Sequence, residues 1–93
     1  MANASKLISF LRCASQQERI TAHHISLFVS IYSIYESNSF ASQFQVSRQK
    51  LMNLSKIQSK TTYHKCLNDL IDSGYILYQP SYHPHKGSKM AIN

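Results

Sequence analysis

The sequence predicts a mainly α-helical chain that ends in a small β-hairpin, and three observations carry that reading. Four runs with apolar residues at helical spacing each follow a Ser or Thr able to cap them. Gly74 closes the last run, and two β-rich segments follow it, separated by a polar stretch holding Pro80, Pro84 and Gly87. The positive charge is concentrated in the second half of the chain. Ninety-three residues make one domain, and an apolar share of 43% is enough for a modest core, which argues against disorder.

The first helix is expected over residues 5–16, capped by Ser5, with Leu7, Ile8, Phe10, Leu11 and Ala14 as a broad apolar face. Polar residues 16–19 break it. Thr21 caps the next helix, which runs to about Ser37 and carries Ile25, Leu27, Phe28, Ile31, Tyr32, Ile34 and Tyr35. Its apolar stripes merge into a face wider than one neighbour needs, so either the first helix or a second copy of the chain must cover it. Residues 40–46 alternate around Phe40, Phe44 and Val46, as in a short edge strand that adds to the hairpin.

Ser47 caps a short third helix with Leu51, Met52 and Leu54 inward, and Ile57 points to the core from the turn that follows. Ser59 caps the fourth helix. Tyr63, Cys66, Leu67, Leu70 and Ile71 form its buried face, while Lys60, Thr61, His64, Lys65, Asn68 and Asp72 lie opposite. A strand at 75–78 and a return strand at 88–92 place Ile76 and Tyr78 against Met90 and Ile92. Helix, turn, basic helix and hairpin (47–74, then 75–93) together spell a winged helix-turn-helix with an additional N-terminal helix.

The net charge of +6 is unevenly placed. Residues 1–46 hold Lys6, Arg12 and Arg19 against Glu18 and Glu36, a net of +1. Residues 47–93 hold Arg48, Lys50, Lys56, Lys60, Lys65, Lys86 and Lys89 against Asp69 and Asp72, a net of +5. A basic face favours a polyanion partner, although a solvated surface would have the same composition. In the fourth helix, basic and small polar residues fill the first two turns and the acids come late. That polarity suits a helix whose N-terminal end enters the major groove of duplex DNA. Ser59, Lys60, Thr61, Thr62, His64 and Lys65 are therefore the candidates for base or phosphate contact. Arg48 and Lys50 are candidates for phosphate. Tyr82, Lys86 and Lys89 are candidates on a hairpin wing that tracks the backbone or minor groove. For each, the plainer reading is a solvated side chain, and Tyr63 fits both core and contact.

Other chemistries find little support. The four acids form no paired-carboxylate motif, and there is neither a glycine-rich phosphate loop nor a nucleophile elbow, so an enzyme is not expected. His83 and His85 share a strand face and His23 and His24 diverge on a helix, but no third ligand has metal-site spacing. No cofactor or small-molecule ligand is expected. Cys13 and Cys66 form no CxxC and suit two half-buried reduced thiols in a cytoplasmic protein. The start of the chain lacks a signal-peptide build, and its apolar run is too short to cross a membrane.

Residues 51–76 resemble the helix-turn-helix of bacterial winged-helix regulators at Leu51, Ile57, the Ser59–Thr62 helix start, Leu70, Gly74, Tyr75 and Ile76. Residues 55–67, 74–76 and 80–88 more closely resemble small winged-helix proteins found with mobile elements in gut and environmental bacteria, and residues 20–28 also fit that group. The resemblance covers most of the chain from residue 20; its wing sequence is fairly specific and its helix-turn-helix generic. It implies the fold and DNA binding, and supplies no operator or regulated gene. A small aliphatic common in such helices is replaced here by Tyr63.

Three functions fit these residues. One is a DNA-binding transcriptional regulator, in one form a homodimer joined through its N-terminal helices on a palindromic site. Another is an accessory DNA-binding factor for excision or mobilisation of a mobile element. The third is a protein-interaction module using the apolar surface of residues 21–37. RNA is disfavoured because no paired exposed aromatics suggest a stacking platform.

Overall fold

A computed structural model describes residues 4–79 and 88–93, with the side chains of residues 4 and 5 excepted. Its elements are α1 (Ala4–Ser15), α2 (Ala22–Ser37), β1 (Phe44–Val46), α3 (Arg48–Ser55), α4 (Lys60–Asp72), β2 (Ile76–Gln79) and β3 (Ser88–Ile92). The chain is mainly helical with a small antiparallel sheet. Its strands lie in the order β1-β3-β2, so the edge strand joins the hairpin on the side away from β2. Ile76 pairs with Ile92 and Tyr78 with Met90, the register expected from the sequence.

The caps explain where the helices begin and end. Ser47 Oγ accepts the Lys50 backbone N–H, and Ser59 Oγ accepts that of Thr62. Ser5, expected to cap α1, lies within the helix, which is described from Ala4. At the end of α2, the Ser39 N–H donates to the Glu36 carbonyl and the Phe40 N–H to that of Tyr35. The same pattern ends α4, with Gly74 N–H on Ile71 and Tyr75 N–H on Leu70. Both motifs need a left-handed residue: Gly74 at φ +83° in one, Ser39 at φ +56° in the other. Phe40 is left-handed as well, its ring edge-on to Tyr35, so the strand expected over 40–46 starts only at Phe44.

α2 is the central element. Leu27, Phe28, Ile31, Ile34 and Tyr35 are buried by α1, α3, α4, β1 and β3 together. The wide apolar face is thus covered on several sides by its own chain. On one side the Ser26 hydroxyl donates to the Ser55 carbonyl at 2.7 Å, satisfying the end of α3. Leu51, Ile57, Cys66, Leu67 and Leu70 complete the helical core, and Phe44, Val46, Ile76, Met90 and Ile92 close it from the sheet.

Some expected core positions are exposed. Ile8 and Leu11 lie on the outer side of α1, which buries Phe10 and Ala14 and half-buries Leu7. Leu54 is 46% exposed because α3 is short and offers the core only a narrow stripe through Leu51, with Met52 half-buried. Cys13 is exposed and Cys66 buried, in place of two half-buried thiols.

Candidate functional site

The α4 helix divides its residues as its spacing demands. Tyr63, Cys66, Leu67 and Leu70 are buried, while Lys60, Thr61, His64, Lys65 and Asn68 are exposed and Thr62 is half-buried. No acid stands in the first turn, so the positive end of the helix dipole is uncompensated. Ser59 accepts with its oxygen and keeps its hydroxyl proton for another acceptor.

Tyr63 is a core residue, 3% exposed. Burial pushes its phenol up to about 12; the nearby Tyr78 phenol adds to the rise and the Arg48 guanidinium opposes it. Arg48 at the start of α3 and Tyr78 in β2 thus both act on Tyr63 through their charge. The Tyr78 hydroxyl in turn lies 2.9 Å from the Ser88 hydroxyl, across the base of the hairpin. Arg48 and Lys50 are both exposed on the first turn of α3.

Lys89 lies on the exposed side of β3. It pairs across the ladder with Gln45 and Gln79, whose side chains share the outer face of the sheet, while Met90 and Ile92 point inward. Tyr82 and Lys86, with His83 and His85, lie outside the described residues. Among the described residues, no three His, Cys, Asp or Glu side chains gather as metal ligands, and no helix is long and apolar enough to cross a membrane.

One pair was not anticipated. His24, 1% exposed in the first turn of α2, has its Nε2 2.8 Å from Asp69 Oδ2 in α4. The Thr21 backbone N–H donates to its Nδ1 at 3.0 Å, and the Thr21 hydroxyl lies 2.9 Å from the same nitrogen. The carboxyl of Asp69 is held below the usual range, first by the His24 hydrogen bond and then by Lys65 and Arg19, against the upward pull of burial. Lys65 also pairs with the Asp69 carboxylate, four residues along the same helix, at the longer distance of 3.7 Å. A signal was available in the spacing Thr21-x-x-His24, a capping box with histidine in the place of glutamate.

No protein-family model, curated protein or solved structure matches the chain.

Proposed function

We propose that this chain is a winged helix-turn-helix protein that binds double-stranded DNA through the N-terminal half of α4. The observation that carries the reading is the exposed face of that half. It presents Lys60, Thr61, His64 and Lys65 with no carboxylate among them, and Asp69 is turned to His24. A helix end of this composition attracts phosphate and offers donors to base edges. Arg48, exposed at the start of α3, is the matching phosphate contact that fixes register. The order helix, strand, helix, helix and hairpin supports a winged helix, with Lys89 at the root of the wing.

As a regulator the protein would read a promoter site; as an accessory factor for a mobile element it would bind the element's ends. Both use the same face, and the position of the footprint separates them. A paired form on a palindromic site would join two copies through α1, where Ile8 and Leu11 are exposed, and sedimentation with and without the duplex checks it. The interaction-module reading is less favoured, since eight of the sixteen α2 residues are buried within the chain.

Fluorescence anisotropy with a labelled duplex at low salt tests the proposal. Affinity should fall by about 10³ to 10⁵ between about 50 and about 200 mM salt if roughly 6 to 10 phosphates are contacted. Absence of binding at micromolar protein, or a flat salt dependence, would reject it.

A further inference from the structure

The pair formed by His24 and Asp69 has a consequence for the binding face. A ring nitrogen that accepts a backbone N–H carries no proton. Nδ1 of His24 accepts from Thr21, so the single proton of the neutral ring sits on Nε2, which points at Asp69 Oδ2. The carboxylate therefore receives a short hydrogen bond from the interior side of α4. That same Oδ2 also forms a looser i,i+4 ion pair with Lys65, at 3.7 Å and outside hydrogen-bond reach. Lys65 is 72% exposed and Asp69 only 23%. Two groups thus compete for one oxygen, and the buried one holds it.

We infer that His24 is a positioning residue for DNA binding: it draws the Asp69 carboxylate inward and keeps its ion pair with Lys65 loose, so that the ammonium can still turn to phosphate. The inference rests on the DNA-binding reading above. Lys65 and Asp69 are four residues apart on one helix, so a carboxylate released from His24 needs only a rotamer change to meet the ammonium. Arg19, which also acts on Asp69, is the other cation within its influence. Once hydrogen-bonded to Asp69 instead of loosely paired with it, Lys65 would offer the duplex little net charge, and one phosphate contact would be lost. The pairing also ties the first turn of α2 to the third turn of α4, so the cap that starts one helix sets the charge displayed by the other.

The two ring nitrogens can be tested separately. His24→Asn keeps an acceptor for Thr21 but does not reach Asp69, and His24→Gln reaches Asp69 with a donor. In anisotropy titrations of the full chain against a labelled random duplex, His24→Asn should bind on the order of five- to tenfold more weakly, with a salt slope shallower by about one. His24→Gln should stay near wild type, and adding Asp69→Asn to His24→Asn should restore affinity and slope together. A wild-type slope in His24→Asn overturns the inference, as does a loss that Asp69→Asn does not repair.

Asp69→Asn alone keeps an acceptor for His24 and guards against a His24 variant that does not fold. Its affinity should change by less than about threefold; tightening on the order of tenfold would mean Asp69 already neutralises Lys65, and would also overturn the inference. Imidazole ¹⁵N shifts of the wild-type chain without DNA should report a bare Nδ1, and a protonated Nδ1 overturns the inference independently of any DNA. If the wild-type chain binds no duplex, the function itself fails and this role with it.

Discussion

The Phe10 ring lies flat on that of Phe28, with centroids 3.8 Å apart and planes 10° from parallel, and Tyr75 meets Phe10 edge-on at 4.9 Å. This aromatic cluster is the main attachment of α1, whose Ile8 and Leu11 face outward. Phe10→Ala should cost about 3 to 5 kcal/mol in denaturant unfolding, as other buried phenylalanine truncations do. Ile8→Ser should stay within about 0.5 kcal/mol of wild type. Equal losses at the two positions would show that α1 is held by its whole apolar face.

The helix ends make a second prediction through their left-handed residues. Ser39 and Gly74 occupy equivalent places in the two terminating motifs, and only one is glycine. Ser39→Gly should stabilise by roughly 0.5 to 1 kcal/mol, since the strain removed exceeds the entropy that glycine adds to the unfolded chain. Gly74→Ala should destabilise by about 1 kcal/mol. A Cβ at Gly74 meets no atom within 4 Å, so that cost is conformational and not steric. Thermal unfolding of both variants measures it; a larger loss at Gly74 would indicate a clash.

Alkaline pH should unfold the protein partly through Tyr63. Its phenol ionises near 12 in the fold, against 10.0 for an exposed one. Because the folded value is raised, this contribution to stability is intact below pH 10 and is lost as the pH climbs towards 12. Tyr63→Phe should flatten the stability profile in that window. An unchanged alkaline profile in Tyr63→Phe would assign the loss to other groups.

Most of the fold was legible because it follows from period and punctuation. Ser47, Ser59 and Gly74 mark real helix ends, and alternation from Ile76 and Met90 fixed the hairpin register. What was not legible depends on which neighbour arrives. The apolar α2 surface pointed to the first helix or a second copy as its cover, since periodicity reports that a face is buried and not what buries it. Leu54 and Ile8 look like core residues until α3 and α1 prove to offer only a narrow contact. The His24–Asp69 bond joins residues 45 positions apart, beyond the reach of any local pattern.

Charge removal at the candidate interface should separate phosphate contact from base reading. Arg48→Ala should weaken binding about equally for all duplexes and make the salt slope shallower by about one. Lys65→Ala should cost on the order of 1 to 3 kcal/mol, and relax preference at one base pair if it contacts a base edge. Competition with substituted duplexes distinguishes the two. Unchanged binding in Lys65→Ala would move the reading surface away from α4.

Acid should act on the fold through Asp69. Its carboxyl is held below the ordinary range by the hydrogen bond from His24, with Lys65 and Arg19 helping and burial opposing. A carboxyl whose folded value is depressed stabilises fully above the unfolded value, about 3.9, and loses that contribution as the pH falls through the folded one. Asp69→Asn retains an acceptor for His24 but exchanges a charge-assisted bond for a neutral one, a difference of about 1 kcal/mol. Wild type should therefore be the more stable of the two above about pH 5, and the gap should close below about pH 4. Denaturant titrations of both proteins across that range measure the gap. A gap independent of pH would mean that the bond to His24 contributes through its shape and not through the charge on Asp69.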